Sequence, residues 1–263
     1  MAVAAGLAAM GLVPVVCTYA TFASLRAAEF VRTDIAYAAR NVKIVGTLAG
    51  VSYGQGGPTH HSVEDLGLLR AVPGLTILAP SDAVEMCAAL RAAIAHEGPV
   101  YLRYGRGTEP PSRVDTPFVI GAVVPLREGG DVTVFACGSV VSEALGAASR
   151  AEGEGISVCV IAVPTLKPLD ADAIAAACRA TRRVVTVEDH NVIGGLGSAV
   201  AEVIAEAGIG CAFRRLGHPD RWLGAGVPED LMHAGGFDED AIFAAICAAR
   251  HHVPRPDDDW NDR

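Results

Sequence analysis

The chain has 263 residues, 51% of them hydrophobic and 19% charged, and a formal net charge of −9. That length and composition suit one or two domains with a large core and exclude a disordered protein. The negative charge, with no cluster of lysine and arginine, argues against nucleic acid as a partner.

No charged residue precedes Arg26. The stretch lacks the basic start of a signal peptide, and Gly11 and Pro14 divide it, so it reads as a buried alanine-rich helix to Met10, a glycine stop, and a strand over 13–18, with no export signal or membrane span. A helix over 21–40 carries Phe22, Leu25, Phe30, Ile35 and Tyr37 interleaved with charges. A β-branched strand over 42–45 follows, then a loop with glycines at 46, 50, 54, 56 and 57 that closes on Gly57-Pro58-Thr59-His60-His61. Next come a helix over 63–71, a strand over 75–79, a helix over 82–96 with Ser81 as its cap, and a strand over 100–104. Prolines and glycines crowd the stretch from 105 to 130 and mark a domain linker, centred on 113–130. The second unit reads as a strand over 131–137, a helix over 140–152, a strand over 156–163, a helix over 170–180, a strand over 183–187, a helix over 196–207, a strand over 211–216 and a helix over 239–250. Short connections between alternating strands and helices imply an α/β fold with two successive parallel-sheet domains, 1–112 and 131–253, and a disordered tail over 254–263. The seven cysteines are scattered, odd in number and free of C-x-x-C pairs. They read as small buried hydrophobes in a reducing cytosol, neither disulfides nor metal ligands, and place the chain in the cytoplasm.

The glycine loop after the second strand is where chemistry is expected. Glycine admits backbone conformations closed to other residues and lets a ligand approach the main chain. Open α/β sheets bind ligands at the ends of their strands. His60 and His61 sit at the close of this loop and read either as functional imidazoles or as capping and solvated loop residues. Gly195-x-Gly197 is part of a dinucleotide fingerprint, but Val200 stands at its third glycine, so a tight turn that packs helix on strand is the better reading. Glu188-Asp189-His190 reads as an acid/base group or, preferably, as a turn network or subunit contact.

A co-linear series of segments resembles the transketolase family. Ala2 to Leu7, Thr18 to Phe22, the segment from Phe30 to Tyr37, Asn41 to Gly46, Gly57-Pro58-Thr59-His60, Glu64-Asp65-Leu66, Val187 to His190 and Gly194 to Val200 follow in the family's order. The resemblance spans residue 1 to about 250 and covers the pyrimidine-binding and C-terminal domains, as in two-subunit transketolases. It implies thiamine diphosphate and Mg²⁺ as cofactors, with the diphosphate and metal held mainly by an N-terminal-type partner subunit, in a heterotetramer, and no metal ligands on this chain. It implies that Tyr19, Phe22 and Leu25 pack on the aminopyrimidine ring, Leu25 standing where many members have a third aromatic. His60 matches the family histidine beside the reactive carbon, and Arg106 an arginine that grips a substrate phosphate. Two departures affect substrate choice: Leu48 replaces a histidine that holds the acceptor phosphate, and Gly56 replaces an aspartate that binds a substrate hydroxyl. The glutamate with which the family activates its cofactor is expected a few residues before residue 1, since no acidic residue precedes Glu29, and the pyrimidine-binding domain is expected to be incomplete at its N-terminus. The expected protein is a β-type half of a transferase that moves a two-carbon ketol or acyl unit onto an aldehyde or keto acid. The alternatives are a subunit like deoxyxylulose-phosphate synthase or a 2-oxo-acid dehydrogenase, and a non-catalytic structural or regulatory partner.

Overall fold

The computed structural model describes residues 1–107, 109–110 and 117–252. The first half comprises α1 (Ala2–Ala9), β1 (Val15–Tyr19), β2 (Lys43–Thr47), α2 (Asp65–Arg70), β3 (Thr76–Leu78), α3 (Ala83–Ala95) and β4 (Val100–Arg103). The second comprises β5 (Val124–Arg127), β6 (Val132–Cys137), α4 (Val141–Gly153), β7 (Val158–Ala162), β8 (Thr165–Lys167), α5 (Ala171–Thr181), β9 (Arg183–Asn191), α6 (Leu196–Glu206), β10 (Ala212–His218), α7 (Pro228–Gly235) and α8 (Glu239–Arg250). Two five-stranded sheets result, ordered β1-β2-β4-β3-β8 and β10-β9-β6-β7-β5. Each is parallel except for one antiparallel edge, β8 on β3 and β5 on β7. The expected α/β class with two parallel-dominated sheets is what forms.

The central strands are buried on both faces because their residues are β-branched or aliphatic. Ile44, Val100, Leu102, Val134, Val160 and Val185 are fully enclosed, and such runs suit a parallel sheet covered by helices. Gly46 leaves room for the fully buried Tyr101, whose hydroxyl oxygen would stand 2.5 Å from a Cβ at that position. One hydrophobic cluster runs through both halves, joining Ile35, Ile44, Leu66 and Ile77 to Phe135, Val163, Leu166 and Ile174.

Several local expectations need correction. The helix expected over 21–40 contains two π-helical stretches, Phe22–Arg26 and Phe30–Tyr37. The Ser24 hydroxyl donates to the Ala20 carbonyl at 2.7 Å, and such back-bonding competes with the regular helical ladder. Asp82, not Ser81, caps α3: its carboxylate accepts from the Val84 and Glu85 amides at 2.9 Å each. The stretch read as linker contains β5, while residues 113–116 and the tail 254–263 lie outside the described residues. Strand β8 and helix α7 were not expected. None of the seven cysteines is in a disulfide; the expectation that they are buried holds for Cys137 and Cys178, while Cys159, Cys211 and Cys247 are half-buried and Cys17 and Cys87 exposed.

Lys43, enclosed at the start of β2, donates from Nζ to Asn41 Oδ1, the His96 carbonyl and the Gly98 carbonyl at 2.5, 2.7 and 2.7 Å. Its ammonium therefore satisfies carbonyls at the end of α3, where a positive charge is favourable. Burial still lowers its pKa to about 8, with Glu97 opposing the shift. Among the described residues, no helix is long and apolar enough to cross a membrane.

Candidate active site

The glycine loop after β2 turns back on itself. Gly50 and Ser62 exchange backbone hydrogen bonds at 2.9 Å, and Tyr53, Gly54, Gln55 and Gly56 form a 3₁₀ turn stabilised by a Gly56 N–H to Tyr53 carbonyl bond of 2.9 Å. Where that loop passes the end of β1, four rings gather. Tyr19 and Phe22 stack with centroids 5.8 Å apart and planes 20° from parallel. His60 meets Phe22 edge-on at 5.5 Å and Tyr19 at 6.3 Å, and Tyr53 closes the group at 5.7 Å from His60 and 5.9 Å from Tyr19. Such tilted and offset arrangements are the favourable ones for aromatic quadrupoles. Tyr19 and Leu25 remain exposed and Phe22 and His60 half-buried, so the cluster is an open face. Phe22 and Leu25 both stand on the first π-helical stretch, a distortion frequent at functional sites. The Arg26 guanidinium lies over the Phe22 ring, 4.4 Å from its centroid.

The two histidines have different environments. Thr59 Oγ1 lies 2.9 Å from His60 Nδ1, which leaves Nε2 as the nitrogen not engaged by that contact. His61 is buried and its Nε2 contacts the Gly54 carbonyl at 3.2 Å. Burial lowers its pKa, which Gly54 partly offsets. His61 therefore belongs to the loop's scaffold, and His60 belongs to the ring cluster.

Arg106 is not among these rings. It is exposed and lines a cleft of about 550 Å³ between the two halves, with Gln55, Glu109, Ser139, Ser142 and Glu143. Burial raises the pKa values of Glu109 and Glu143. Leu48 is half-buried with a positive φ of 53°, and its amide reaches the Gly105 carbonyl at 3.3 Å. At Gly56 a Cβ would stand 2.7 Å from both His60 Cβ and Tyr53 Cδ1, so the position is closed to any side chain in this arrangement.

The loop is held from behind by groups of both halves. Both Asp189 carboxylate oxygens accept from the Val51 amide at 3.1 Å, and Oδ1 also contacts His218 Nε2 at 3.0 Å. Gly50, at φ +62°, could not carry a Cβ without meeting the Asp189 carboxylate 1.9 Å away. Arg103 donates to Asp65 through Nε at 3.0 and 3.1 Å and, through Nη2, to the Ser62 and Asp189 carbonyls at 3.0 and 2.7 Å. Burial works against its charge, yet Asp65 and Asp189 hold its pKa above the ordinary arginine value. The Tyr101 hydroxyl donates to the same Asp65 at 2.7 Å.

Glu188-Asp189-His190 is thus a turn network. Glu188 accepts from the Leu196 and Gly197 amides at 2.6 and 2.8 Å, at the start of α6, and His190 Nε2 accepts from the Gly67 amide at 3.2 Å. Gly195 and Gly197 permit the tight turn: a Cβ at 195 would stand 1.9 Å from Glu188 Oε2 and one at 197 would stand 2.9 Å from Thr186 Oγ1. Sequence reasoning missed Tyr53 and the Asp65–Arg103–Tyr101 group. An aromatic residue inside a glycine loop was the available signal for the first; the second joins positions too far apart in the chain to be paired by pattern.

Residues 1–110 match the family described as transketolase, pyrimidine binding domain, and residues 121–242 match transketolase, C-terminal domain. The chain belongs to the transketolase family. It is 42% identical over 246 residues to the 6-deoxy-6-sulfo-D-fructose transketolase subunit SqwH of Clostridium sp. (strain MSTE9), covering 92% of this chain and 76% of that protein. It is 40% identical over 253 residues to the 1-deoxy-D-xylulose-5-phosphate synthase of Syntrophotalea carbinolica, covering 95% of this chain but 39% of that protein. Among solved structures, a split gene transketolase described as an inactive beta4 tetramer superposes with a TM-score of 0.85 at 39% identity, over 94% of this chain and 79% of that one.

Proposed function

We propose that this chain is the β-type, C-terminal subunit of a thiamine-diphosphate-dependent transketolase-like enzyme that transfers a two-carbon ketol or acyl unit to an aldehyde or keto acid. The observation that carries the reading is the open aromatic face of Tyr19 and Phe22 with His60 edge-on to it. These flat apolar surfaces suit an aminopyrimidine ring, and the charged group set against them is the Arg26 guanidinium over Phe22. Among the described residues the group close enough to hold an ion is His233, Asp238 and Asp240, in and after α7, away from the rings in the chain and in the second half. A partner subunit that supplies the diphosphate and Mg²⁺ site fits that division.

When bound, thiamine diphosphate supplies the carbanion chemistry. The residues of this chain orient and protect it. Tyr19, Phe22 and Leu25 pack on the ring and exclude water. His60 donates from Nε2 to oxygen charge that develops on the substrate and moves protons there, with Thr59 fixing the imidazole through Nδ1. Arg106 suits an anionic substrate end, since its fork matches phosphate or sulfonate oxygens. Leu48 and Gly56 leave the pocket less able to hold a polyhydroxylated sugar. The activating carboxylate comes from outside residues 1–263. The partner surface extends from the rings: Val3, Met10, Leu12 and Val15 are between 48% and 82% exposed, an apolar band along α1 and β1, beside the outer edge of β1, which no described strand pairs. A heterotetramer would cover it.

Calorimetry tests the division of labour. Thiamine diphosphate with Mg²⁺ should bind the isolated chain weakly and bind tightly once the N-terminal-type subunit is added. Tight binding and turnover by the isolated chain would overturn this assignment, and tight binding without turnover in the complex would favour the non-catalytic alternative.

A further inference from the structure

The 3₁₀ turn that carries Tyr53 and Gly56 brings those two positions over one another, because side chains three residues apart eclipse in such a turn. Tyr53 occupies the resulting space. Its ring stands 5.7 Å from His60, edge-on, and where a Cβ at 56 would project it would meet Tyr53 Cδ1 and Cε1 at 2.7 and 2.8 Å. The polar residue of the turn, Gln55, lines the cleft that holds Arg106 instead. The turn therefore divides its side chains: Tyr53 toward the imidazole and Gln55 toward the cleft. A substrate that approaches His60 meets an aromatic wall on the side where position 56 could have placed a hydrogen-bonding group.

We propose that Tyr53 is a specificity-determining residue: its ring, admitted by Gly56, makes the His60 pocket select acceptor aldehydes or keto acids that present an apolar or flat group, and disfavour acceptors that present hydroxyls there. This rests on the reading that His60 faces the reacting carbon. Contact with an aromatic face stabilises an apolar partner, whereas a hydroxyl buried against it loses its water without a replacement hydrogen bond. Gly56 enables the wall and Tyr53 forms it.

The test uses the chain reconstituted with its N-terminal-type subunit, thiamine diphosphate and Mg²⁺, with hydroxypyruvate as donor and benzaldehyde and D-glyceraldehyde as competing acceptors. The wild-type complex should prefer benzaldehyde in kcat/KM. Tyr53→Phe keeps the ring and should leave the preference within about twofold, while Tyr53→Ser should reduce it by about tenfold or more, the scale of one lost aromatic contact. An unchanged preference in Tyr53→Ser would overturn the proposal, as would a wild-type preference for glyceraldehyde. A second measurement separates the geometry from the activity. In NMR spectra of the isolated chain, ring-current shifts of the His60 protons should persist in Tyr53→Phe and change in Tyr53→Ser. No change there would overturn the placement of Tyr53 while leaving the transferase reading intact; a clear change with no transfer to either acceptor would sink the transferase reading and the specificity role with it.

Discussion

Removal of the Asp189 carboxylate should unfasten the glycine loop from the second half of the chain. The residue is 2% exposed, and Asp189→Ala would leave the Val51 amide and His218 Nε2 without the acceptor that now lies 3.0 to 3.1 Å away. A buried donor stranded in this way costs about 1–3 kcal/mol, so two of them cost about 2–6 kcal/mol. With about 2–4 °C of Tm per kcal/mol for a chain of this size, calorimetry should register a fall of roughly 10 °C. Asp189→Asn keeps one acceptor and should cost about half as much. The loop that loses its tether carries His60, so hydrogen exchange over 50–62 should rise in Asp189→Ala even well below the melting transition. A Tm within about 2 °C of wild type, with unchanged exchange in that segment, would refute the claim that this carboxylate positions the loop.

His60→Ala should reduce turnover of the reconstituted complex by roughly 10²-fold or more, whereas His61→Ala should act chiefly through stability; equal small effects on turnover would count against the assigned roles. Ribose 5-phosphate should be a poorer acceptor than simple aldehydes, measured by initial rates in the same complex, because Leu48 and Gly56 offer no polar side chain to it. Burial raises the Glu188 pKa to about 7 despite the amides of Gly197 and Leu196, so its contribution to stability is full below its unfolded value and is lost as pH rises through 7. Burial lowers that of His190 to about 4, so its contribution is present above its unfolded value and is lost as pH falls through 4. The two oppose each other in the window between roughly pH 4.5 and 6.5. Denaturant unfolding of wild type should therefore vary little across that window, while Glu188→Gln should lose about 1–2 kcal/mol between pH 6.5 and 5 relative to its own value at pH 6.5; a flat profile in the variant would contradict the pairing.

The parts of the fold that were legible from sequence are those whose cause is local. Ile44, Val134 and Val185 sit in short β-branched runs that only a buried parallel strand explains, and the α/β alternation follows from them. Strands β5 and β8 escaped because each is short, Pro125 sits inside one and Pro164 and Pro168 flank the other, and both owe their extended form to pairing with β7 and β3. Helix α7 did carry a signal, with Pro228 at its start, acidic residues in its first turn and Gly236 in a left-handed conformation after its end. At the site, the family resemblance indicated Tyr19, Phe22 and His60, which the fold gathers. Nothing in spacing could pair Arg103 with Asp65, which meet where α2 lies against the first sheet, or bring Asp189 to Val51, which depends on how the two halves dock.

Strand β8 has a consequence for how the chain can be made. It completes the sheet of the first half, yet it is encoded after β6, α4 and β7 of the second. Leu78 waits for Thr165, and at ribosomal speeds of about 5–20 residues per second that interval is on the order of 10 s. During that time the edge of β3 is a bare row of amides and carbonyls, open to any passing strand. Synthesis of the first half alone should therefore yield an adhesive intermediate that depends on chaperones, and a gene cut between the halves would separate a sheet from its own last strand.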